Sequence, residues 1–385
     1  MDVVYLDNNA TTKPAPEVVA AMLPYLTDLY GNASSVHRFG QRSRQAVDEA
    51  RGQVASLIHC SESEIVFTGV GTESINTAIR GILASRGPRR QVIISTVEHS
   101  AVRELAKQLT REGVEVLEIP VDPRGSLDFD RLESVVGPDT ALVSMMWANN
   151  ETGVIFPVDR IAALCRARGV PFHCDGTQAI GKVPVDLTAV PIDAMSFSAH
   201  KFHGPKGVGG LFVRRGVRMR PFMIGGSQER NRRGGTENVP GIVGMGKAAE
   251  LALASLPEMS SRVASLRDRF DQAVTGNIDN AHVIGRTDSR VPNTTNIGFA
   301  RLEAEAILLL LSEQGVCASA GAACSSGSLE PSPVLQAMGI DPKIAHGAIR
   351  FSLSKYTTDA EIDRALAVLP SVIARLRAVL PVHAA

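Results

Sequence analysis

The sequence predicts an α/β chain in which a mostly parallel sheet carries helices on both faces and a smaller α+β part follows. Three observations lead there. Between residues 61 and 213, short β-rich runs alternate with helical patterns; these runs are almost continuously apolar; and after Gly241 the texture changes to longer helical patterns. Alternation of this kind demands βαβ crossovers. Unbroken apolar runs fit strands buried on both faces rather than one.

Taken in order, "EIVFTG" reads as a strand and 74–84 as the helix behind it. "QVIIST" is paired in the same way with 101–111, "VEVLEIP" with 129–136, and "TALVSMMW" with 158–168. "VPFHCD" and "DAMSFSAH" complete the set of strands. Beyond Gly241, helices are predicted over 245–254, 261–273 and about 303–314, with short strands between them.

A chain of 385 residues exceeds what one hydrophobic core usually serves. The division expected is a large α/β domain over 14–261 and a small α+β domain made of 1–13 and 262–385. Lys+Arg and Asp+Glu each number 40, so the formal net charge is zero, and aromatic residues make up only 4%. That balance excludes nucleic acid as a partner. The N-terminus has neither a basic region nor an apolar one behind it, and the longest strongly apolar stretch, 306–311, is too short to cross a bilayer. A cytoplasmic protein with no membrane partner is expected. Five cysteines without a CxxC pair suit neither a disulfide framework nor a resident metal site.

Ligands of open α/β sheets bind beyond the carboxyl ends of the strands. The residues there are polar: Gly69 to Thr72 after "IVFT", Glu98 and His99 after "VIISTV", and Asn149 and Asn150 after "LVSMMW". Asp175 and Gln178 follow "PFHC", and Ser198, His200 and Lys201 follow "MSF". An anion cradle, a histidine, a carboxylate and a lysine therefore share one edge.

A lysine at such an edge, walled by apolar residues, loses charge by desolvation and becomes a nucleophile. Lys201 has that placement; Lys206, in the turn "GPKGVGG", reads as a solvated charge. Pyridoxal phosphate needs a lysine for a Schiff base, a carboxylate against its ring nitrogen and a phosphate site. Lys201, Asp175 and "GVGTES" could supply them, with Gly71 allowing close backbone approach and Thr72 capping a helix that starts at Glu73. His99 is either a ring-stacking group or a packed strand-end histidine. Asn150 and Gln178 either bond the ring's phenolic oxygen or cap turns, and Ser198 and His200 either hold phosphate or are structural. His173, Cys174, Cys60, Cys165 and Cys317 read as core residues. A nicotinamide oxidoreductase is the rival reading of "GVGTES"; the stretch lacks the third glycine of a dinucleotide fingerprint, and the common short-chain form is disfavoured because none of Tyr5, Tyr25, Tyr30 and Tyr356 has lysine four residues on.

Ten stretches in order resemble one family. They are "YLDNNATT", "GNASSVHRFGQ", "FTGVGTES", "EHSAV", "MWANNETG", "HCDGTQAIGK", "SFSAHKFHGPKGVG", "RRGGTENVPG", "AACSSGSLEPS" and "HGAIRFSLSKYTT". Together they are similar to the NifS/IscS-type cysteine desulfurases, of the class V aminotransferases. The resemblance implies fold type I with a seven-stranded sheet, pyridoxal 5'-phosphate, a homodimer, and conversion of L-cysteine to L-alanine with the sulfur left on an enzyme cysteine.

By position it implies Lys201 as the lysine bonded to the cofactor, Asp175 at the pyridine nitrogen and His99 as stacking acid/base. Asn150 and Gln178 fall near the phenolic oxygen, and Gly71, Thr72, Ser198 and His200 at the phosphate. Thr236 would reach that phosphate from the neighbouring subunit, and Asn32 and Arg350 would bind substrate. Cys324 would accept the sulfur and hand it to an iron–sulfur scaffold protein or another acceptor, transiently sharing a nascent cluster. Its setting, "SAGAACSSGSLEPSP", is poor in apolar residues and rich in Gly and Ser, as expected of an exposed, mobile thiol. Ala33 departs from the proline usual after "GN". The ending "RAVLPVHAA" lacks an extended scaffold-docking tail, which points to the nitrogen-fixation branch.

Overall fold

The apolar runs pair into one seven-stranded sheet, in a computed structural model that describes residues 3–287, 289–321 and 330–379. The chain begins with β1 (Val4–Tyr5), α1 (Pro16–Leu26) and α2 (Arg38–Leu57). The sheet region then runs β2 (Ile65–Thr68), α3 (Gly71–Leu83), β3 (Gln91–Ser95), α4 (Ser100–Arg111), β4 (Glu115–Ile119), α5 (Phe129–Val135), β5 (Thr140–Met146), α6 (Val158–Ala167), β6 (Phe172–Asp175), β7 (Ala194–Ser198) and β8 (Gly209–Val213). A helical turn, α7 (Gln228–Asn231), leads into α8 (Val239–Glu258), α9 (Ala264–Asn277), β9 (Ala281–Ile284), β10 (Thr294–Phe299), α10 (Ala304–Glu313) and β11 (Val316–Cys317). The described chain closes with α11 (Pro333–Ala337), α12 (Pro342–Ala345), β12 (Ala348–Ser352) and α13 (Asp359–Ala378).

The strand order is β2-β8-β7-β6-β5-β3-β4. Every pair from β7 to β4 is parallel, and β8 runs antiparallel to both β7 and β2. The exception has a simple cause. Only ten residues separate Ser198 from Gly209, too few for the crossover that a parallel neighbour requires. β5 through β8 are buried along their whole length, as unbroken apolar runs demand. The chain steps outward from β3 to β4 and returns to the other side of β3 as β5. That reversal places the ends of β3 and β5 at the crevice where ligands of such sheets bind.

A second hydrophobic core unites Leu6, Phe270, Phe299, Phe351 and Leu369. It is built around the three-stranded sheet β12-β10-β9, while the N-terminal β1 pairs in parallel with β11.

The helices α1 and α2 were not evident in the periodicity. α2 buries Ala46, Val47, Ala50 and Val54 on one face, and the same face buries Arg51. Arg51 makes a two-pronged ion pair with Glu229 at 2.8 Å, and Glu229 also accepts the Phe67 N–H. An arginine on the inward face conceals the apolar stripe from a sequence reading. α8 is longer at both ends than 245–254. Its Gly246 lets Ala50 of α2 approach so closely that a Cβ there would lie 2.6 Å from the Ala50 Cα. By length and composition the helical run Val239–Asn277 could cross a membrane, so 306–311 is not the longest apolar stretch that matters. Half of that run's most apolar window is buried inside the fold, with α8 packed on α1 and α2.

Candidate active site

The loops after β2, β3, β5, β6 and β7 converge on a cavity of about 360 Å³. It is lined by Gly71, Thr72, His99, Asn150, Asp175, Gln178, Ser198, His200 and Lys201, and by Thr177, which the sequence reading passed over. A second cavity, of about 530 Å³, opens beside it and shares Ala10, His99, Asn150, Gln178 and Lys201 with the first. Arg103, Glu151 and Arg350 line its far side.

Lys201 follows β7 directly, on the helical turn 199–201. Its Nζ donates to the carbonyl oxygens of Asn9 at 2.7 Å and Ala10 at 2.9 Å. Two main-chain acceptors hold the amine at the junction of the cavities. Lys206 is exposed, as a turn charge should be.

Asp175 ends β6, and one carboxylate oxygen accepts the Thr177 N–H at 3.0 Å, which fixes the carboxylate's rotation. His99 is the residue before α4, and its Nδ1 accepts the Ala101 N–H at 3.2 Å. The ring's remaining hydrogen therefore sits on Nε2. Burial lowers the His99 pKa and Asp175 opposes that, while Lys201, Arg103 and Arg350 push it down further. The imidazole is neutral at physiological pH. His200 bonds the Thr11 hydroxyl through Nδ1 at 3.1 Å, and burial, aided by Lys201, Lys206 and Lys182, lowers it to about 4.

The helix α3 begins at Gly71, two residues earlier than Thr72 capping would require, and the residue before it, Val70, offers no side-chain cap. Thr72 thus lies inside the first turn. Its hydroxyl, like the turn's unpaired N–H groups, is left for a ligand. A Cβ on Gly71 would lie 3.3 Å from the Ser198 Cβ, so glycine keeps the cradle open.

Asn150 Oδ1 is buried without a hydrogen-bond partner. An orphaned polar atom in a cavity wall calls for a bound group. An amine, a carboxylate, an orphaned amide and a helix N-terminus around one cavity suit a planar heteroaromatic aldehyde that carries a phosphate. Pyridoxal phosphate has that chemistry.

Arg350, on β12, pairs with Asp7 at 2.6 Å and donates to the carbonyls of Asn150 and Gly321; its Nε is buried and unpartnered. Asn32 and Thr236 are exposed and outside both linings, and Asn32 Oδ1 accepts the Ser34 N–H. Cys324 lies outside the described residues. Cys165 and Cys174 are core thiols, whereas Cys60 and Cys317 are only partly buried; burial raises Cys60 and Cys165 to about 12 and Cys174 well above the usual range. His173 is held between the hydroxyls of Ser144 and Ser196, and burial lowers it to about 4.

Asn9 and Lys182 were not singled out from the sequence, and Glu98 was named at its strand end without a role; all three are buried, and Asn9 and Glu98 line the second cavity. Glu98 accepts from the Ser95 hydroxyl at 2.5 Å and the Met146 N–H at 3.0 Å, and burial raises it to about 8. Asn9 lay within a quoted stretch, but nothing in its neighbours along the chain distinguishes it from Asn8.

The fold and this site define a class-V aminotransferase: that family matches residues 4–365, and the chain belongs to it. A cysteine desulfurase of Trichormus variabilis is 53% identical over 381 residues, covering 99% of this chain and 96% of that protein. The cysteine desulfurase NifS of Azotobacter vinelandii is 49% identical over 379 residues, covering 98% and 94%. Among solved structures, a NifS-like protein superposes with a TM-score of 0.92 at 39% identity, over 97% of this chain and 100% of that one. The structure described as SspA in complex with cysteine gives 0.81 at 30% identity, over 92% and 99%. Within its family, the chain therefore groups with the NifS-type cysteine desulfurases.

Proposed function

We infer that this protein is a pyridoxal 5'-phosphate-dependent cysteine desulfurase, working in the cytoplasm as a homodimer. It converts L-cysteine to L-alanine and retains the sulfur as a persulfide on Cys324. One observation carries the reading: the Lys201 amine, the Asp175 carboxylate and the neutral His99 ring meet at one cavity whose rim is the first turn of α3. The domain division at 14–261, against 1–13 with 262–385, belongs to the same reading.

Lys201 would bond the cofactor, Asp175 would keep its ring nitrogen protonated, and Asn150 and Gln178 would meet its phenolic oxygen. Gly71, Thr72, Ser198 and His200 would hold the phosphate, and Thr236, exposed in the single chain, would reach the phosphate of a second copy. When bound, the cofactor supplies an electron sink joined to the substrate's Cα.

The chain's residues do the rest. Arg350, which lines the second cavity, binds the substrate carboxylate, and pairing with Asp7 holds its guanidinium in place; Asn32 lies outside both linings and is not brought to that carboxylate in the single chain. Lys201, once released, removes the Cα proton, and His99 moves a proton through Nε2. The Cys324 thiolate attacks the substrate sulfur. The bond between that sulfur and Cβ breaks, its electron pair stays with the carbon skeleton, and protonation of that carbon yields alanine. The persulfide then passes to an iron–sulfur scaffold protein or another acceptor.

The test is a pair of variants. Lys201→Ala is expected to lose the visible colour of the purified protein. Cys324→Ala is expected to keep the colour while alanine formation from cysteine falls to background. Desulfuration at the wild-type rate in Cys324→Ala would leave a class-V lyase or aminotransferase without a persulfide step.

A further inference from the structure

Asn9 uses every polar atom it has. Its main-chain N–H donates to Ser352 Oγ at 2.9 Å, and its side-chain Nδ2 donates to the Asn150 carbonyl at 3.1 Å and Thr294 Oγ1 at 2.8 Å. Its Oδ1 accepts from Lys182 Nζ at 2.9 Å and Asn293 Nδ2 at 3.1 Å. Its carbonyl accepts from Lys201 Nζ at 2.7 Å and Gln178 Nε2 at 3.1 Å. Polar groups from the loops of the seven-stranded sheet and from the three-stranded sheet therefore meet on this one residue.

Lys182 is the second amine of this network. It is buried, and its Nζ faces two acceptors, Asn9 Oδ1 and Gln178 Oε1. Burial pushes its pKa well below the lysine range, and the neighbouring charges of Lys201 and Arg350 push it the same way.

The partners fix the amide of Gln178 chemically. The Asn9 carbonyl can only accept, so the Gln178 nitrogen must face Asn9, and its oxygen is turned to Lys182, from whose Nζ it accepts. One hydrogen on Nε2 is spent on the Asn9 carbonyl. The other is left for the cavities, both of which Gln178 lines.

We propose that Lys182 is a positioning residue: it holds the Gln178 amide, through Oε1 and through Asn9, so that an N–H donor faces an anionic ligand oxygen in the cavity. Resting on the function given above, that oxygen is the phenolic oxygen of the cofactor. A donor there favours the ionised oxygen, and its loss raises the pKa at which that oxygen ionises. Lys182 never touches the ligand in this arrangement. It acts by giving Gln178 Oε1 a fixed donor, which secures the orientation that the Asn9 carbonyl imposes and keeps the amide's reach constant.

The experiment reads the visible absorbance of the purified holoenzyme as a function of pH, with cofactor content measured alongside. Lys182→Met is expected to keep its cofactor and to move the absorbance midpoint upward by about one pH unit. Gln178→Glu, which replaces the donor by an acceptor and leaves Lys182 in place, is expected to move it upward as well. The double variant Lys182→Met/Gln178→Glu is expected to shift no further than Gln178→Glu alone, because the two residues act as one unit.

A coloured Lys182→Met whose midpoint matches wild type while its thermal midpoint falls would make Lys182 structural only and overturn the proposal. Additive shifts in the double variant would overturn it too. Should Lys182→Met fail to fold, an unmoved midpoint in Gln178→Glu does so independently, since no donor would then face the ligand. A colourless wild-type protein would sink the cofactor reading and this proposal with it, whereas a coloured but unresponsive one sinks the proposal alone.

Discussion

The seven-stranded sheet has a cleft at each end, and the larger is not the chemical one. At the amino ends of the strands lies a cleft of about 610 Å³ bordered by Arg86, Arg166, Arg214, Arg218 and Asp193. At the carboxyl ends lies the cavity of about 360 Å³ that holds Lys201, Asp175 and His99. The first carries four guanidinium groups against one carboxylate, Asp193, whose oxygen already accepts the Phe172 N–H at 2.9 Å. Guanidinium groups stay protonated throughout the working pH range, so the four arginines can attract an anion but offer no proton acceptor. Arg214 is moreover spent on structure, donating to the carbonyls of Leu187, Val190 and Ile192. The smaller cavity combines an amine, a carboxylate and a neutral imidazole within one wall. Diversity of proton affinity, rather than volume, separates a reactive site from a merely cationic one.

The strongest way to break this comparison is at Asp175. Asp175→Asn removes the negative charge while keeping the shape, and alanine formation is expected to drop by roughly 10²-fold to 10³-fold, a loss typical of removing one preorganised electrostatic partner. Near-wild-type turnover, measured under saturating cysteine, would show that the carboxylate is not what distinguishes the smaller cavity.

Arg214→Ala probes the opposite end. It deletes three hydrogen bonds from a charged donor to main-chain carbonyls. A loss of roughly 2–4 kcal/mol in urea denaturation is expected, with turnover per folded molecule unchanged. A fall in turnover without a fall in stability would assign the larger cleft a part in the chemistry.

The third prediction sharpens the contrast through pH. Burial raises Glu98 to about 8, so the folded state keeps this proton where the unfolded chain has lost it. A raised carboxyl pKa gives stability that is complete below the unfolded value and lost as pH climbs through the folded one. Wild type should therefore lose roughly 2 kcal/mol more than Glu98→Gln between about pH 6 and pH 8. Parallel stability curves for the two proteins would mean that Glu98 is already ionised in the fold.

Much of this was legible along the chain because strand ends are local features. An apolar run followed by Asp175, or by Ser198, His200 and Lys201, announces both a buried strand and a polar edge. The strand β8 was not read from the sequence, and its antiparallel place between β7 and β2 belongs to the assembled sheet. Thr72 illustrates a near miss. Threonine before a helical pattern reads as a cap, yet the turn starts at Gly71, where a Cβ would crowd Ser198 at 3.3 Å. Arg51 was illegible for a different reason, since its partner Glu229 lies 178 residues away.

By itself the sequence determined which groups stand at the carboxyl edge: period, run length and strand-end residue type are properties of neighbouring positions. Only the tertiary structure decided how those groups are held and in what protonation state. Asn9 joins Lys182, Gln178 and Lys201 to Asn293 and Ser352 across spans of up to 343 residues. Hydrogen-bond direction and desolvation depend on what surrounds an atom in space, and no local pattern encodes that.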